Sequence, residues 1–225
     1  MFRITNAHLR PQPREYSFIT VIGNVGAGKS TLTRELSGML GFDASYERVD
    51  NNPYLSDFYR DQAQWGFHLQ IYFLGQRYRD ILNIQETGRD HIQDRSIYED
   101  VEIFARALHD TGKMPDRDFA TYHDLFHSMV DHLIRPDLAI YLTGSLDTIL
   151  RRIAQRGRES EKAVPTAYWA DLHTRYERFI AGYAQSPVLW VDIDRFDMFK
   201  HPEHLGLLSA EVRRCLEGQE SLAAG

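Results

Sequence analysis

Cysteine is almost absent from this chain: Cys215 is the only one in 225 residues. A lone thiol offers neither a disulfide framework nor a cysteine metal site, and it fits a reducing compartment. Long apolar runs are missing too, and the first eighteen residues, MFRITNAHLRPQPREYSF, have polar residues throughout. The expectation is therefore a cytosolic protein with no spanning helix and no secretory signal. An excess of positive charge is also lacking. The formal net charge is −6, so neither a nucleic-acid surface nor a basic membrane patch is expected. No internal repeat and no low-complexity segment interrupts the chain. What remains, 43% hydrophobic and 12% aromatic residues, is enough for one sizeable core, so residues 1–225 are expected to form one domain.

Short apolar segments at 17–23 (SFITVIG), 91–94 (HIQD), 137–144 (DLAIYLTG) and 187–193 (PVLWVDI) read as buried strands. Helical periodicity lies between them, beginning with STLTRELSGML and including two long stretches at about 61–84 and 116–134. Alternating strands and helices predict an α/β fold with a parallel sheet covered on both faces. Residues 1–16 form a polar lead-in, and the tail at 216–225 is expected to fray.

The densest chemical signal is VIGNVGAGKST at 21–31. Gly23, Gly28, Lys29 and Ser30 satisfy G-x-x-x-x-G-K-[ST] between a predicted strand and a predicted helix. Glycines let consecutive backbone N–H groups, here from Gly23, Asn24, Val25, Gly26, Ala27, Gly28 and on to Thr31, turn toward an anion at the helix start. Lys29 is expected to reach the β and γ phosphates and the Ser30 hydroxyl to ligate Mg²⁺. The loop identifies a nucleoside triphosphate and leaves the acceptor open. No N-K-x-D of a GTPase is present, nor a strand ending in Asp-Glu as a mechanical ATPase would want.

Four further segments bear on the acceptor. In YERVDNNPYLSDFY (46–59), Glu47 follows the second strand position and could take a proton from a hydroxyl, or be a surface charge in a loop. Gln70, Phe73 and Arg77 share one face of the long helix; they suit a base-binding pocket, or a solvent-facing stripe. Asp94 and Arg95 end a strand, and Asp100 lies one turn into the next helix, where it could pair with Arg77 or cap a helix end. Arg152, Arg156 and Arg158 in LRRIAQRGRESE read as a lid over phosphates at 150–165, or as a solvated basic helix.

Together GNVGAGKST, YERVDNNPYL, FYRDQAQWGFHLQIYFLGQR, QDRSIYEDVEIFA and RIAQRGRESE resemble the deoxynucleoside kinase family, in its bacterial deoxyadenosine/deoxyguanosine kinase branch, over roughly residues 17–200. The resemblance implies a P-loop kinase fold with a five-stranded parallel sheet, flanking helices and an arginine-rich lid. It implies ATP-dependent phosphorylation of a deoxynucleoside 5′-hydroxyl in deoxynucleotide salvage, with Mg²⁺, by a homodimer. Carried over residue by residue, it makes Glu47 the general base, held by Arg95. Tyr59 and Glu161 would grip the 3′-hydroxyl, Gln70 the base edge, with Arg77 and Asp100 as the flanking pair and Phe67 or Phe104 as aromatic walls. Asp94 would help hold Mg²⁺, one methylene shorter than the glutamate of animal members. Arg195 and Phe196, in DIDRFDMF, would meet the donor adenine. An Arg77–Asp100 pair implies a purine or cytosine base, and a purine is favoured. A nucleoside monophosphate kinase, a non-enzymatic nucleotide-binding regulator and a kinase of another small molecule are the competing readings.

Overall fold

The computed structural model describes residues 1–9, 14–47, 52–162 and 164–217. The expected fraying tail therefore lies, from residue 218 on, outside the described residues, as do Asp50 and Asn51 of the acceptor loop and the side chain of Ser160 in the lid.

Six strands form one mixed sheet: β1 (Phe2–Thr5), β2 (Phe18–Gly23), β3 (Asp43–Ser45), β4 (His91–Asp94), β5 (Leu138–Thr143) and β6 (Val188–Asp192), in the order β1-β6-β5-β2-β4-β3. The five strands from β6 to β3 run parallel, as expected. β1 is the addition, pairing antiparallel with β6 along the open edge. Its sequence, FRIT, carries only two apolar side chains and lies in a polar lead-in, so no strand pattern stands out there. Its hold comes from tertiary contacts: Arg3 lies 3.7 Å over the Trp190 ring, and Trp190 Nε1 donates to Thr5 Oγ1 at 2.9 Å. Covering β6 in this way removes an exposed edge.

Every residue of β2 is buried. A strand buried on both faces belongs at the centre of a parallel sheet, and β2 pairs Thr20 with Gln93 of β4 and Ile19 with Leu138 of β5. From β2 the chain crosses to β3 at one edge, returns through β4 beside β2, and then crosses to β5 and β6 on the other side. The crevice at the carboxyl end of β2 is thus a topological switch point, where open α/β sheets bind ligands.

The helices are α1 (Lys29–Leu40), α2 (Leu55–Arg60), α3 (Gln62–Thr87), α4 (Ile97–Glu99), α5 (Arg106–Asp110), α6 (Asp116–Val130), α7 (Leu146–Arg156), α8 (Thr166–Gly182) and α9 (Glu203–Leu216). α3 starts where the Asp61 side chain accepts from Gln64 N and ends at Gly88 in the left-handed conformation. α4 opens with a capping box between Ser96 and Glu99. Between α4 and α5 the helix widens to a π turn over Asp100–Ala105, a form often found at functional sites. α6 stops at Val130, four residues short of the periodic pattern. No described helix is long and apolar enough to cross a membrane.

Candidate active site

The loop between β2 and α1 lies at the switch point, and its glycines have distinct duties. Gly26 and Gly28 adopt φ of +82° and +99°, which favours glycine. A Cβ on Gly26 would also lie 2.7 Å from Ile153 Cγ1, because α7 packs directly on the loop. Gly26→Ala is therefore expected to lower stability by roughly 1–3 kcal/mol. A thermal melt checks this; an unchanged melting temperature would show that the loop tolerates the Cβ.

Lys29 Nζ is buried and donates to the carbonyls of Gly23 (2.8 Å) and Asn24 (3.1 Å). Burial, helped by the charge of Arg95, pushes its ammonium down to about 8, against the pull of Asp94, Glu99 and Glu47. The Ser30 hydroxyl donates to Asp94 Oδ2 at 2.5 Å. Asp94 is 1% exposed, and its Oδ1 has no protein partner among the described residues. A hydroxyl and a carboxylate with a free oxygen make a fitting donor set for a hard divalent cation.

Past β3 the chain brings Glu47 to the same crevice. Its Oε1 lies 2.9 Å from Arg77 Nη2 and 2.8 Å from Arg95 Nε. Burial would raise this carboxyl, but Arg95, then Arg77 and Lys29, outweigh it and hold it at about 2. Arg77 Nε in turn contacts Asp100 Oδ2 at 2.5 Å, so Arg77 joins the two acids. Burial alone would lower the Arg77 guanidinium; the Asp100 and Glu47 carboxylates reverse that and keep it charged. Arg77 and Gln70 are each 3% exposed, which removes the solvent-facing stripe as an account of this face.

One cavity of about 730 Å³ joins the two ends, from Val25–Leu32 of the loop to Glu47, Gln70, Phe73, Asp100 and Phe104. Gln70 Oε1 is buried there without a protein partner among the described residues. Phe104 is a wall, stacked against the Arg95 guanidinium at 4.5 Å. Phe67 is not a wall: it sits edge-on to His68 at 6.2 Å, outside the lining, and Phe73 takes its place. Tyr59 and Glu161 both line the cavity. Burial, then the nearby Glu161 charge, pushes the Tyr59 hydroxyl well above its ordinary value.

α7 supplies the arginines. Arg152 Nη1 donates to Ala27 O at 2.7 Å, tying the helix to the loop. Arg156 donates to both Glu161 oxygens at 2.6 and 2.7 Å, and Arg158 lies 3.7 Å from the same acid. All three line the cavity, Arg152 and Arg158 half-buried and Arg156 more exposed. After β6, Phe196 lines the cavity while Arg195 does not; the Arg195 side chain is 74% exposed and pairs with Asp192 at 3.7 Å. Asp197–Lys200 take that position. The turn after β6 buries Phe196 and turns its neighbour outward, which residue type alone does not reveal.

Tyr168 also lines the cavity and escaped the sequence reading, because on the apolar face of α8 it looks like a core residue. So did the pair behind Arg95: Arg95 Nη1 donates to the Tyr176 hydroxyl at 3.0 Å, and that hydroxyl donates to Glu99 Oε1 at 2.8 Å.

A family model described as deoxynucleoside kinase matches residues 19–217. The chain is 50% identical to a deoxyadenosine/deoxycytidine kinase of Bacillus subtilis over 184 residues, covering 81% of this chain and 85% of that one. It is 36% identical to a deoxyadenosine kinase of Dictyostelium discoideum, covering 91% and 82%, and 33% identical to a deoxyguanosine kinase of Bacillus subtilis, covering 88% and 97%. Among solved structures it is similar to deoxyadenosine kinase from M. mycoides with bound dATP, with a TM-score of 0.76 at 32% identity over 87% of this chain and 99% of that one.

Proposed function

The chain belongs to the deoxynucleoside kinase family and is a deoxynucleoside kinase, and from that premise we propose that ATP is its phosphoryl donor and a purine deoxynucleoside, deoxyadenosine ahead of deoxyguanosine, its acceptor. The observation that carries the reading is one cavity with Lys29 at one end, Gln70 and Asp100 at the other and Glu47 between them, with Arg77 outside the lining and bridging Glu47 to Asp100 from behind. The free Gln70 carbonyl and its amide can serve an exocyclic amino group and the ring nitrogen beside it, as adenine and cytosine present them. Deoxyadenosine is placed ahead of deoxyguanosine because the Bacillus subtilis relative at 50% identity is named for deoxyadenosine and deoxycytidine, whereas the deoxyguanosine kinase of that organism is 33% identical.

Phosphoryl transfer asks mainly for positioning and charge neutralisation. The Gly23–Thr31 loop, Lys29 and the arginines 152, 156 and 158 supply the positive end. Ser30 and Asp94 would hold Mg²⁺, which when bound offsets charge on the phosphate oxygens. Glu47 accepts the hydrogen bond of the 5′-hydroxyl and aims its oxygen in line. At about 2 the carboxylate is a weak base, which suits a loose transition state that gives up the hydroxyl proton late. Tyr59 and Glu161 hold the 3′-hydroxyl, and Phe196 packs near the donor base.

One continuous core supports a single domain, the lone cysteine supports a cytosolic location, and the resemblance supports a homodimer. ADP release with each deoxynucleoside, ribonucleoside and deoxynucleoside monophosphate tests the assignment. Turnover is expected to be greatest with deoxyadenosine. Activity confined to monophosphates would make the chain a monophosphate kinase, and ATP binding without turnover would make it a regulator.

A further inference from the structure

Arg95 is one of two described non-glycine residues with positive φ, at +75°. An arginine in that conformation carries backbone strain and persists when its surroundings over-determine it. Its guanidinium is held from three directions. Nε lies 2.8 Å from Glu47 Oε1 in an ion pair without hydrogen-bond alignment, the plane lies 4.5 Å over Phe104, and Nη1 donates to the Tyr176 hydroxyl at 3.0 Å. The third hold is costly to build. Tyr176 on α8 is 1% exposed, and the acid behind it, Glu99 in α4, is 0% exposed. A buried carboxylate is retained against its desolvation only where its bonds use it fully.

The bonds of Glu99 have a direction. Oε2 accepts Ser96 N at 2.6 Å in the capping box, which anchors the side chain. Oε1 takes the Tyr176 hydroxyl proton at 2.8 Å. A hydroxyl has one proton to give, so giving it to Glu99 leaves its lone pairs for Arg95. Neither Tyr176 nor Glu99 lines the cavity, so neither is in place to touch a nucleoside.

We propose that Tyr176, oriented by Glu99, is a positioning residue for phosphoryl transfer, its hydroxyl locking the Arg95 guanidinium against Glu47. The proposal rests on the reading of Glu47 and Arg95 as reaction-site residues. The charged and titratable groups facing Glu47 are Lys29 from α1, Tyr59 from α2, Arg77 from α3, Arg95 after β4, Asp100 from the π turn and Tyr176 from α8. Of these, the Arg95 charge does most to keep Glu47 ionised. A loosened Arg95 therefore leaves Glu47 easier to protonate.

The test is Tyr176→Phe in the full chain, with kcat and KM for deoxyadenosine and ATP, the pH profile of kcat/KM, and a melt. The expected result is a kcat about 10- to 100-fold lower, a nucleoside KM within about threefold, and an acid limb moved to higher pH. A role confined to packing would lower the melting temperature and leave the limb in place. A kcat within about twofold of wild type with an unmoved limb overturns the proposal, whatever the melt shows. Should that variant not fold, Glu99→Gln carries the test: a fall in kcat with unchanged nucleoside KM is expected, and wild-type kcat overturns the proposal. Glu47→Gln is run alongside. Normal turnover there would undo the site reading itself, whereas loss there with a normal Tyr176→Phe undoes only the positioning role.

Discussion

Glu47→Gln is expected to lower turnover by about 10²- to 10⁴-fold while leaving deoxynucleoside binding within a fewfold of wild type. The amide keeps the size of the side chain and one acceptor oxygen for Arg77, and Gln70 and Asp100, which line the far end of the cavity, are unchanged. What disappears is the carboxylate proposed to aim the 5′-hydroxyl and finally take its proton. Stability changes as well, because Oε1 is shared by two buried guanidinium groups. The carboxyl falls from 4.5 to about 2 on folding, since Arg95 and Arg77 outweigh the burial that would raise it. A depressed acid contributes stability that is fully present above its unfolded value and lost as pH falls through the folded one. That contribution is on the order of 3 kcal/mol at neutral pH. Melts of the two proteins should therefore differ most near pH 7 and converge as pH drops from about 4.5 toward 2. Turnover near wild type would remove Glu47 from the chemistry, and a melting difference that does not narrow in acid would remove its charge from the stability account.

The parallel strands could be read from the chain because each is a short apolar run, and β2 is buried along its whole length. β1 could not, since its four residues gain their place from Trp190 and the open edge of β6, contacts 185 residues away for Thr5. The site shows the same division. Motif residues with fixed partners, Lys29 on the loop carbonyls and Ser30 on Asp94, lie where their spacing put them, as does the Arg77–Asp100 pair. Positions that depend on which way a turn rotates were harder to read. Phe67 and Phe73 both belong to an aromatic stretch of α3, and only packing decides that Phe73 lines the cavity. Arg195 and Phe196 are adjacent, yet the turn after β6 buries one and exposes the other. Residues that act through another residue carry no mark at all. Tyr176 and Glu99 sit in helical segments whose pattern predicts core and cap, and only the chain of bonds from Arg95 through the Tyr176 hydroxyl to Glu99 sets them apart.

Lys29→Met is expected to make the protein more stable at pH 7 and nearly inactive. Burial is the largest influence on the ammonium, followed by the Arg95 charge, and together they bring it from 10.5 to about 8 in the folded chain. Between those two values the unfolded chain binds more protons than the folded one, so stability rises with pH across that window. Below about 8 both states are charged, and the buried charge costs on the order of 3 kcal/mol. Methionine keeps the length of the side chain and removes the charge. It also removes the bonds to the carbonyls of Gly23 and Asn24, worth about 1 kcal/mol each. The net gain should be about 1 kcal/mol, a rise in melting temperature of about 2–4 °C for a chain of this size. Turnover should fall at least about 10²- to 10³-fold, the scale for losing one fixed donor to a developing anion. The two effects have one origin, a cation kept in a dry loop for a polyanion. A triphosphate arriving there favours the charged form, so ATP binding at pH 8 should take up protons in the wild type and not in the variant. Calorimetry in buffers of different ionisation enthalpy reads that difference directly. A variant less stable than wild type at pH 7, or one that takes up the same protons, would mean that the loop does not store this charge for its donor.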